Sequence, residues 1–198
     1  MFQVRADFSL KVLRRFQREY TDQYSDLESI GEICALDDHI LERTAHVNSA
    51  ILSERHRVNS RVIKLIRKNR TADLAGYYIL YPIRGECEGL IEEGRIVKSS
   101  QITAGHICQV GADAASLYLS MVYGNERGAR AFLIYLLYRD IRAIIKESRS
   151  LRYIFVRPVT SAGLRTVEKH RFDRLRQDSG IFRRIVTPER LPDEIAEP

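Results

Sequence analysis

The spacing of hydrophobic positions predicts two helices before the first clear strands. Ser25 and Glu28 have the spacing of a capping box, and apolar residues follow at helical intervals, so a helix is predicted over about 26–41. A second helix is predicted over 45–58, with apolar residues on one side and arginine and glutamate on the other. The middle of the first half is therefore predicted to be helical.

The first 24 residues have a pattern that suits two kinds of element. Their apolar positions at helical spacing are Leu10, Leu13, Phe16 and Tyr20. Alternation near the end of the same stretch also suits a strand, and we predict a strand near 16–22. We treat 1–24 as an N-terminal extension that includes this first strand.

Beyond the helices, short β-branched runs alternate with helical patterns. Two such runs, separated by turn residues, predict a hairpin with strands near 61–67 and 74–81. The later predicted elements are a short helix over 86–93, a strand over 116–124, a helix of about 20 residues after it, a strand over 152–160, a helix opening on Ser161 and a strand over 179–187. With no repeat or linker, this order predicts one α/β domain over 25–187 and a frayed acidic tail over 188–198.

Composition and charge favour a phosphorylated partner. The chain has 198 residues, 44% of them hydrophobic, and a net charge of +6 from 32 basic and 26 acidic residues. The tail contains four acidic residues and one basic residue, so the folded body is more basic than the whole chain. Basic charge of this kind attracts either nucleic acid or a polyanionic small molecule.

Cysteine usage and hydropathy predict a cytoplasmic protein that does not enter the membrane. Cys34, Cys87 and Cys108 are far apart in the sequence and odd in number, which favours free thiols in a reducing cytosol. No apolar run approaches the roughly 20 residues that a membrane span needs. The N-terminus lacks the pattern of a secretion signal.

The most informative segment is the junction between the 116–124 strand and the helix after it, MVYGNERGARA. The free N–H groups and the dipole of a helix start favour an anion, so a diphosphate could bind there. Alternatively, the turn only connects the two elements and its arginines are solvated. The candidate ligand-binding residues are Met121, Val122, Tyr123, Arg127, Gly128, Ala129, Arg130 and Ala131.

The second half of the chain resembles the GCN5-related N-acetyltransferase (GNAT) superfamily. The segment from Glu126 to Ala131 is similar to the family's pyrophosphate loop, with glutamate where Gln or Arg is usual and Ala129 where the first glycine is usual. The string VEKHRF is similar to a second family motif, but it has Val167 where the family commonly has tyrosine. Upstream, SDLESIGEI and LAGYYILYPI resemble the family's first helix and third strand.

The resemblance implies an α/β (α+β) fold of one GNAT-like domain, with a mixed, mostly antiparallel sheet flanked by helices and splayed fourth and fifth strands. It also implies transfer of an acyl group, most simply acetyl from acetyl-CoA, to an amine by direct attack. A backbone N–H near Val122 or Tyr123 would then donate to the thioester carbonyl.

The resemblance also requires an acid for the leaving thiolate and a base for the amine. Because Val167 cannot serve as the acid, Tyr123 and His170 are the candidates, or the thiolate leaves unaided. The candidate bases are Glu86, Glu88, Asp37 and Asp38. The histidines at 39, 46 and 56 lack metal-ligand spacing, so no metal site is predicted.

Two other classes of function remain open. The departures from the family motifs suit a domain that has lost catalysis and senses CoA or binds a protein. Alternatively, the basic body suits a nucleic-acid binder, and an RNA-borne amine acceptor would combine both ideas. A homodimer is also open. The arginines available to nucleic acid are Arg55, Arg57, Arg61, Arg174, Arg176, Arg183 and Arg184.

Overall fold

A computed structural model describes residues 10–40, 48–110, 114–148, 150–176 and 179–186. The helices are α1 (Leu10–Glu19), α2 (Leu27–Ile40), α3 (Ser49–Val58), α4 (Gly85–Glu92), α5 (Arg127–Glu147) and α6 (Ser161–Lys169). The strands are β1 (Tyr20–Tyr24), β2 (Ile63–Lys68), β3 (Leu74–Arg84), β4 (Ala114–Gly124), β5 (Tyr153–Val156), β6 (Asp173–Arg174) and β7 (Phe182–Ile185). Two short 3-10 helices, Ser99–Gln101 and Ala104–His106, precede β4.

The seven strands form one sheet in the order β1-β2-β3-β4-β5-β7-β6. All neighbouring strands are antiparallel except β4 and β5, which are parallel. The long helix α5 makes the crossover between this parallel pair, as a parallel connection requires. The predicted mixed, mostly antiparallel sheet is therefore confirmed.

The two sides of the sheet have separate hydrophobic cores. Helices α1 and α5 contribute to the core that contains Phe16, Phe132 and Leu136. Helices α2, α3 and α4 contribute to the opposite core, which contains Ile33, Leu52 and several strand tyrosines. Because successive strand residues face opposite sides, the side chains of β4 alternate between these two environments.

The predicted strand near 16–22 begins too early. Residues 10–19 form a helix and the strand begins only at Tyr20. The helical interpretation prevails because one face of α1 packs on α5, where the ring centroids of Phe16 and Phe132 are 5.5 Å apart. Strand β1 then pairs with β2, so the described part of the N-terminal segment packs on the same sheet.

The predicted helix over 26–41 is confirmed as α2, but its capping box is wrong. The Asp26 carboxylate accepts a hydrogen bond from the Ser29 backbone N–H at 2.8 Å, so Asp26 caps the helix. The backbone N–H of Ser25 donates instead to Ile63 in β2. The second helix begins at Ser49, capped by Asn48, and the predicted positions 45–47 lie outside the described residues.

The remaining elements follow the predicted order. The hairpin is confirmed as β2 and β3, although β3 extends through Pro82 to Arg84. The predicted strands and helices from 86 onward correspond to α4, β4, α5, β5, α6 and β7. The two-residue strand β6 is not predicted, because a segment this short has no periodicity. The acidic tail lies outside the described residues.

A charge cluster of Asp22, Lys64, Arg139 and Asp140 lies on the α5 side of the sheet, with Lys64 and Asp140 buried and Arg139 exposed. Lys64 Nζ lies 3.1 Å from Asp22 and 3.6 Å from Asp140, and Arg139 bonds both carboxylates at 2.9 and 3.0 Å. Burial tends to raise the pKa of Asp22, but Arg139 and Lys64 outweigh it and lower the pKa. The two cations and two anions of the cluster balance one another.

None of the three cysteines forms a disulfide, and Cys87 and Cys108 are buried. Burial raises the pKa of the Cys87 thiol, which keeps it protonated. Among the described residues, no helix is long and apolar enough to cross a membrane.

Candidate functional site

Strands β4 and β5 pair over only four residues and then separate. The parallel ladder runs from Ser116 and Tyr153 to Leu119 and Val156, where β5 ends. Strand β4 continues to Gly124, held on its other side by β3. Its residues are buried up to Tyr118 and partly exposed from Leu119 to Tyr123. A cleft therefore opens in the sheet beside the second half of β4.

A β-bulge marks the point of separation. Ile79 pairs with Met121 and Leu80 with Leu119, which leaves Ser120 as the extra residue of β4. Bulges bend a strand and interrupt its ladder, and they are common beside active sites. The bulge thus directs the end of β4 away from the line of β5.

Two facing glycines fix the end of β4. In the β3–β4 ladder Gly76 pairs with Gly124. A Cβ atom at Gly76 would collide with the Tyr123 carbonyl, and one at Gly124 would lie 2.7 Å from Arg130 Cγ and 2.8 Å from Arg130 N. The backbone N–H of Asn125 donates to the carbonyl of Ala75 at 3.0 Å and anchors the turn. Only glycine permits this close approach of β3, β4 and α5.

The N-terminus of α5 opens at the end of this cleft. Its Ncap residue, Glu126, makes no side-chain capping bond. The carboxylate of Glu126 instead accepts a hydrogen bond from the Tyr20 hydroxyl at 2.8 Å and lies 3.2 Å from Lys68 Nζ. These two contacts lower the pKa of Glu126. The N–H groups of Arg127, Gly128 and Ala129 have no intrahelical acceptor and are not capped by this carboxylate.

Arg127 and Arg130 flank the helix start, and both are exposed. Within the described part of the chain, neither forms an ion pair with a carboxylate. Gly128 accommodates the Tyr20 hydroxyl, which would lie 3.1 Å from a Cβ atom at that position. The helix start therefore presents two unpaired cations beside uncapped N–H groups, a combination that attracts phosphate.

The predicted ligand-binding residues of β4 line the cleft on different sides. Val122 packs toward the core that includes α5, while Met121 and Tyr123 pack toward the core of α2, α3 and α4. The ring centroids of Tyr123 and Tyr77 are 5.9 Å apart. Ala131 packs into the α5 core and does not face the turn. Tyr123 thus immediately precedes the turn into α5, but its side chain lies on the opposite side of the sheet from that helix.

His170 lies away from this cleft. It caps the C-terminal end of α6, and the Tyr138 hydroxyl lies 3.2 Å from its Nδ1 atom. Tyr138 is eleven residues after Arg127, which places it about 16 Å along α5. Burial lowers the pKa of His170, and the charges of Lys169 and Arg184 act in the same direction. The structure does not bring His170 to Tyr123.

The two described candidate bases lie near the start of β4. Glu86 is exposed in the first turn of α4, which begins just after Arg84 pairs with Ala114 at the start of β4. The bulge beside the cleft is at Ser120, six positions later and about 20 Å along the strand. Glu88 is buried, and its Oε1 accepts a hydrogen bond from Arg152 at 2.7 Å. Burial raises the pKa of Glu88, although Arg152 opposes the shift. The side chains of Asp37 and Asp38 are outside the described set.

The arginines considered for nucleic acid do not form one free basic surface. Arg55 and Arg184 are buried, Arg61 contacts Glu147, and Arg183 contacts Glu92 at 2.6 Å. His56 Nε2 lies 2.7 Å from the Ser25 carbonyl oxygen. Among the described residues, no cluster of His, Cys, Asp or Glu could hold a metal ion.

Comparison with solved structures identifies the fold. Over 85% of this chain and 99% of the other, the structure matches Ard1 from Thermoplasma volcanium with a TM-score of 0.52 and 13% identity. A GNAT-family acetyltransferase from Listeria monocytogenes matches with a TM-score of 0.52 and 10% identity over 84% of this chain and 95% of its own. The chain therefore has the GNAT superfamily fold.

The same fold occurs in a condensation domain. The C-terminal condensation domain of Ebony, in complex with beta-alanyl-dopamine, matches with a TM-score of 0.53 and 11% identity, covering 85% of this chain and 99% of that one. No protein-family model and no curated protein matches the sequence. The fold is thus shared with acetyltransferases, and the activity must be argued from the site.

Proposed function

We propose that this protein is an acyl-CoA-dependent N-acyltransferase that transfers an acetyl group from acetyl-CoA to an amine. The observation that carries this proposal is the cleft between β4 and β5, which leads to the uncapped start of α5 beside Arg127 and Arg130. A molecule with a diphosphate at one end and a narrow chain at the other matches both features. CoA has that shape.

Each part of the cleft has a role in this reaction. The N–H groups of Arg127, Gly128 and Ala129 bind the diphosphate, and the two arginine side chains add charge-assisted hydrogen bonds. The unpaired edge of β4 beyond Leu119 runs along the acyl-bearing arm. Its backbone N–H groups donate to the thioester oxygen as negative charge develops there.

The chemical step is a direct displacement. The amine nitrogen bonds to the thioester carbonyl carbon, the carbon–sulfur bond breaks, and the amine loses one proton while the leaving thiolate takes one up. Tyr123 lies at the cleft and serves as the acid for the thiolate in this proposal. Alignment of the two reactants can account for roughly 7–11 kcal/mol of barrier lowering, so a single acid or base need not dominate.

The test is a CoA-release assay with the full chain. The protein is incubated with acetyl-CoA, a panel of amines and a thiol-reactive dye, and reactions without acceptor correct for the protein's own cysteines. We expect acceptor-dependent release of CoA and a rise in melting temperature with CoA. A melting shift without turnover on any amine would favour the CoA-sensing alternative. Absence of both responses would contradict the proposed cofactor.

A further inference from the structure

Arg157 occupies the apex of the cleft. It directly follows Val156, the last residue of β5 that pairs with β4. Arg157 follows β5 directly, and continuing the alternation of that strand by one residue places it on the side of Phe155, which belongs to the core of α2, α3 and α4. Burial raises the pKa of Tyr118, a residue of the same core, and the charge of Arg157 opposes this shift. The guanidinium therefore lies on the face of the sheet opposite to α5.

The guanidinium of Arg157 has no counter-ion among the described residues. Its Nε atom is buried without a hydrogen-bond partner, and no described carboxylate forms an ion pair with Arg157. The nearby chain at Gly180 approaches Arg157 so closely that a Cβ atom there would lie 3.8 Å from Nε. A buried donor without an acceptor costs free energy. An arginine in this state at the apex of a cleft points to an external acceptor.

A second unneutralised guanidinium lies on the same face. Arg55 is fully buried, and it donates to the Tyr81 hydroxyl at 2.8 Å and to the Ser100 carbonyl at 3.3 Å. Its Nε atom also has no partner, and no carboxylate in the described residues pairs with it. Tyr81 is the cross-strand neighbour of Tyr118. This face of the sheet thus has two guanidinium groups without a described carboxylate partner, one in α3 and one directly after β5.

Several other arginines of the chain form ion pairs: Arg67 contacts Glu32 at 2.9 Å, Arg139 contacts Asp22 at 2.9 Å, and Arg152 contacts Glu88 at 2.7 Å. Arg157 differs from these in that its Nε atom is buried and has no hydrogen-bond acceptor among the described residues, a state that it shares with Arg55. A planar guanidinium forms two parallel hydrogen bonds with a carboxylate, which makes a carboxylate the matching anion.

We propose that the amine acceptor is a small molecule that carries a carboxylate and that Arg157 binds this carboxylate. This inference rests on the proposed function, because it assigns the acceptor side of the same cleft. The diphosphate lies at the start of α5, so the acceptor reaches the thioester from the face that contains Arg157, Tyr118 and Tyr123. Arg55 is too deeply buried to touch the acceptor and acts as a positioning residue through Tyr81.

The hydrogen bonds of Arg157 to the carboxylate also fix the position of the acceptor amine relative to the thioester. In the transfer itself the nitrogen–carbon bond forms, the carbon–sulfur bond breaks, and one proton passes from the amine side to the thiolate side.

The test uses pairs of acceptors that differ only in the carboxylate: tyrosine and tyramine, phenylalanine and 2-phenylethylamine, and β-alanine and ethylamine. For the wild-type enzyme we expect at least one pair to show a tenfold or greater preference in kcat/KM for the carboxylated member. Arg157→Gln should lower that kcat/KM by about 10- to 100-fold and leave the neutral partner within about twofold. Arg165→Gln, an exposed position on α6, is the matched control.

Three results would overturn the inference. The first is a preference for the neutral member in every pair, and the second is an equal loss for both members in Arg157→Gln. The third is weaker CoA binding in Arg157→Gln, because the residue would then serve the cofactor. If the protein transfers no acyl group at all, a melting shift caused only by carboxylated ligands and abolished in Arg157→Gln would still support the anion site. No such shift would overturn it.

Discussion

Two sets of charged residues on opposite sides of the sheet differ in how they are neutralised. On the α5 side, the charge cluster pairs two cations with two carboxylates and adds hydrogen bonds to Asp140 from Tyr24 and Tyr78. On the other side, Arg67 and Arg152 pair with Glu32 and Glu88, but Arg55 and Arg157 form no ion pair with a described carboxylate.

In our proposal, the paired cluster stabilises the fold and Arg157 binds a ligand. A buried charge without a partner is costly, so a fold tolerates one chiefly where function requires it. The paired cluster should matter for stability and not for binding. Arg157, Arg127 and Arg130 should matter for binding and little for stability.

The largest expected effect is the loss of Asp140. Asp140→Ala removes one of the two counter-ions of the buried Lys64 and the acceptor of the Tyr78 and Tyr24 hydroxyls. It should cost about 3–5 kcal/mol in the free energy of unfolding, measured by urea denaturation. Asp140→Asn removes the charge but keeps an amide oxygen that can accept from Tyr78 and Tyr24. Comparing the two variants therefore distinguishes the contribution of the charge to stability from that of the hydrogen bonds. A loss below about 1 kcal/mol in Asp140→Ala would mean that the cluster is not structural.

The double variant Arg127→Ala/Arg130→Ala should weaken CoA binding and leave the stability of the fold almost unchanged. Each arginine contributes a charge-assisted contact of roughly 1.5–3 kcal/mol to the diphosphate, so CoA affinity measured by calorimetry should fall at least about tenfold. The free energy of unfolding should change by no more than about 0.5 kcal/mol per site. Arg14→Ala/Arg18→Ala on α1 is the charge-matched control, and unchanged CoA affinity in the cleft variant would refute the site.

Gly76→Ala should affect both stability and binding, unlike the first two changes. The added Cβ would collide with the Tyr123 carbonyl and lie 2.7 Å from Leu133 Cδ1, so β4 or α5 must move. We expect a loss of about 1–3 kcal/mol in unfolding free energy and weaker CoA binding. Gly31→Ala on α2, where a Cβ meets nothing within 4 Å, is the control. Native-like binding in Gly76→Ala would show that the cleft does not depend on this contact.

The smallest expected effect concerns Glu88, a buried carboxylate that is only partly paired. One carboxylate oxygen pairs with Arg152, whereas the other is buried without a partner. Burial raises the pKa of Glu88 above its ordinary 4.5, so the native state binds the proton more tightly than the unfolded state. Its contribution to stability is therefore full below pH 4.5 and declines as pH rises through the native pKa.

Glu88→Gln removes this titration. Relative to the wild type, the variant should become more stable as the pH rises from 4.5, by up to about 1 kcal/mol. Urea denaturation of both proteins at several pH values between 4.5 and 8 measures the difference. A gap that does not change with pH, or that changes in the opposite direction, would contradict the raised pKa.

Much of the fold follows from local sequence patterns. The hairpin of β2 and β3, the long helix α5 and the glycine-rich junction before it are all readable from periodicity and turn residues. The N-terminal helix is not predictable in this way, because Phe16 and Tyr20 suit either a helix or a strand. Their packing on Phe132, which decides between the two, is a contact between residues far apart in the chain. The observed cap of α2, Asp26, is one residue after the predicted cap, Ser25, because the two residue types are about equally good caps.

The candidate site was predictable only in part. The start of α5, with Arg127 and Arg130, was visible because strand, turn and helix are contiguous in sequence. The bulge at Ser120 was not, because a bulge is a property of two strands and one strand's pattern does not reveal it. Arg157 gave no signal either, since 26 arginines occur in the chain and only burial and pairing distinguish one from another.

By itself, the sequence determined the order of the elements and the basic helix start, because both depend on neighbouring residues. The tertiary structure decided which charges are paired. An ion pair such as Arg139 with Asp22 joins residues far apart in the chain. The surroundings of the Arg157 Nε atom, which has no partner among the described residues, are likewise formed by separate segments of the chain. The free energy of a charge depends on what surrounds it in space, and only the folded chain defines those surroundings.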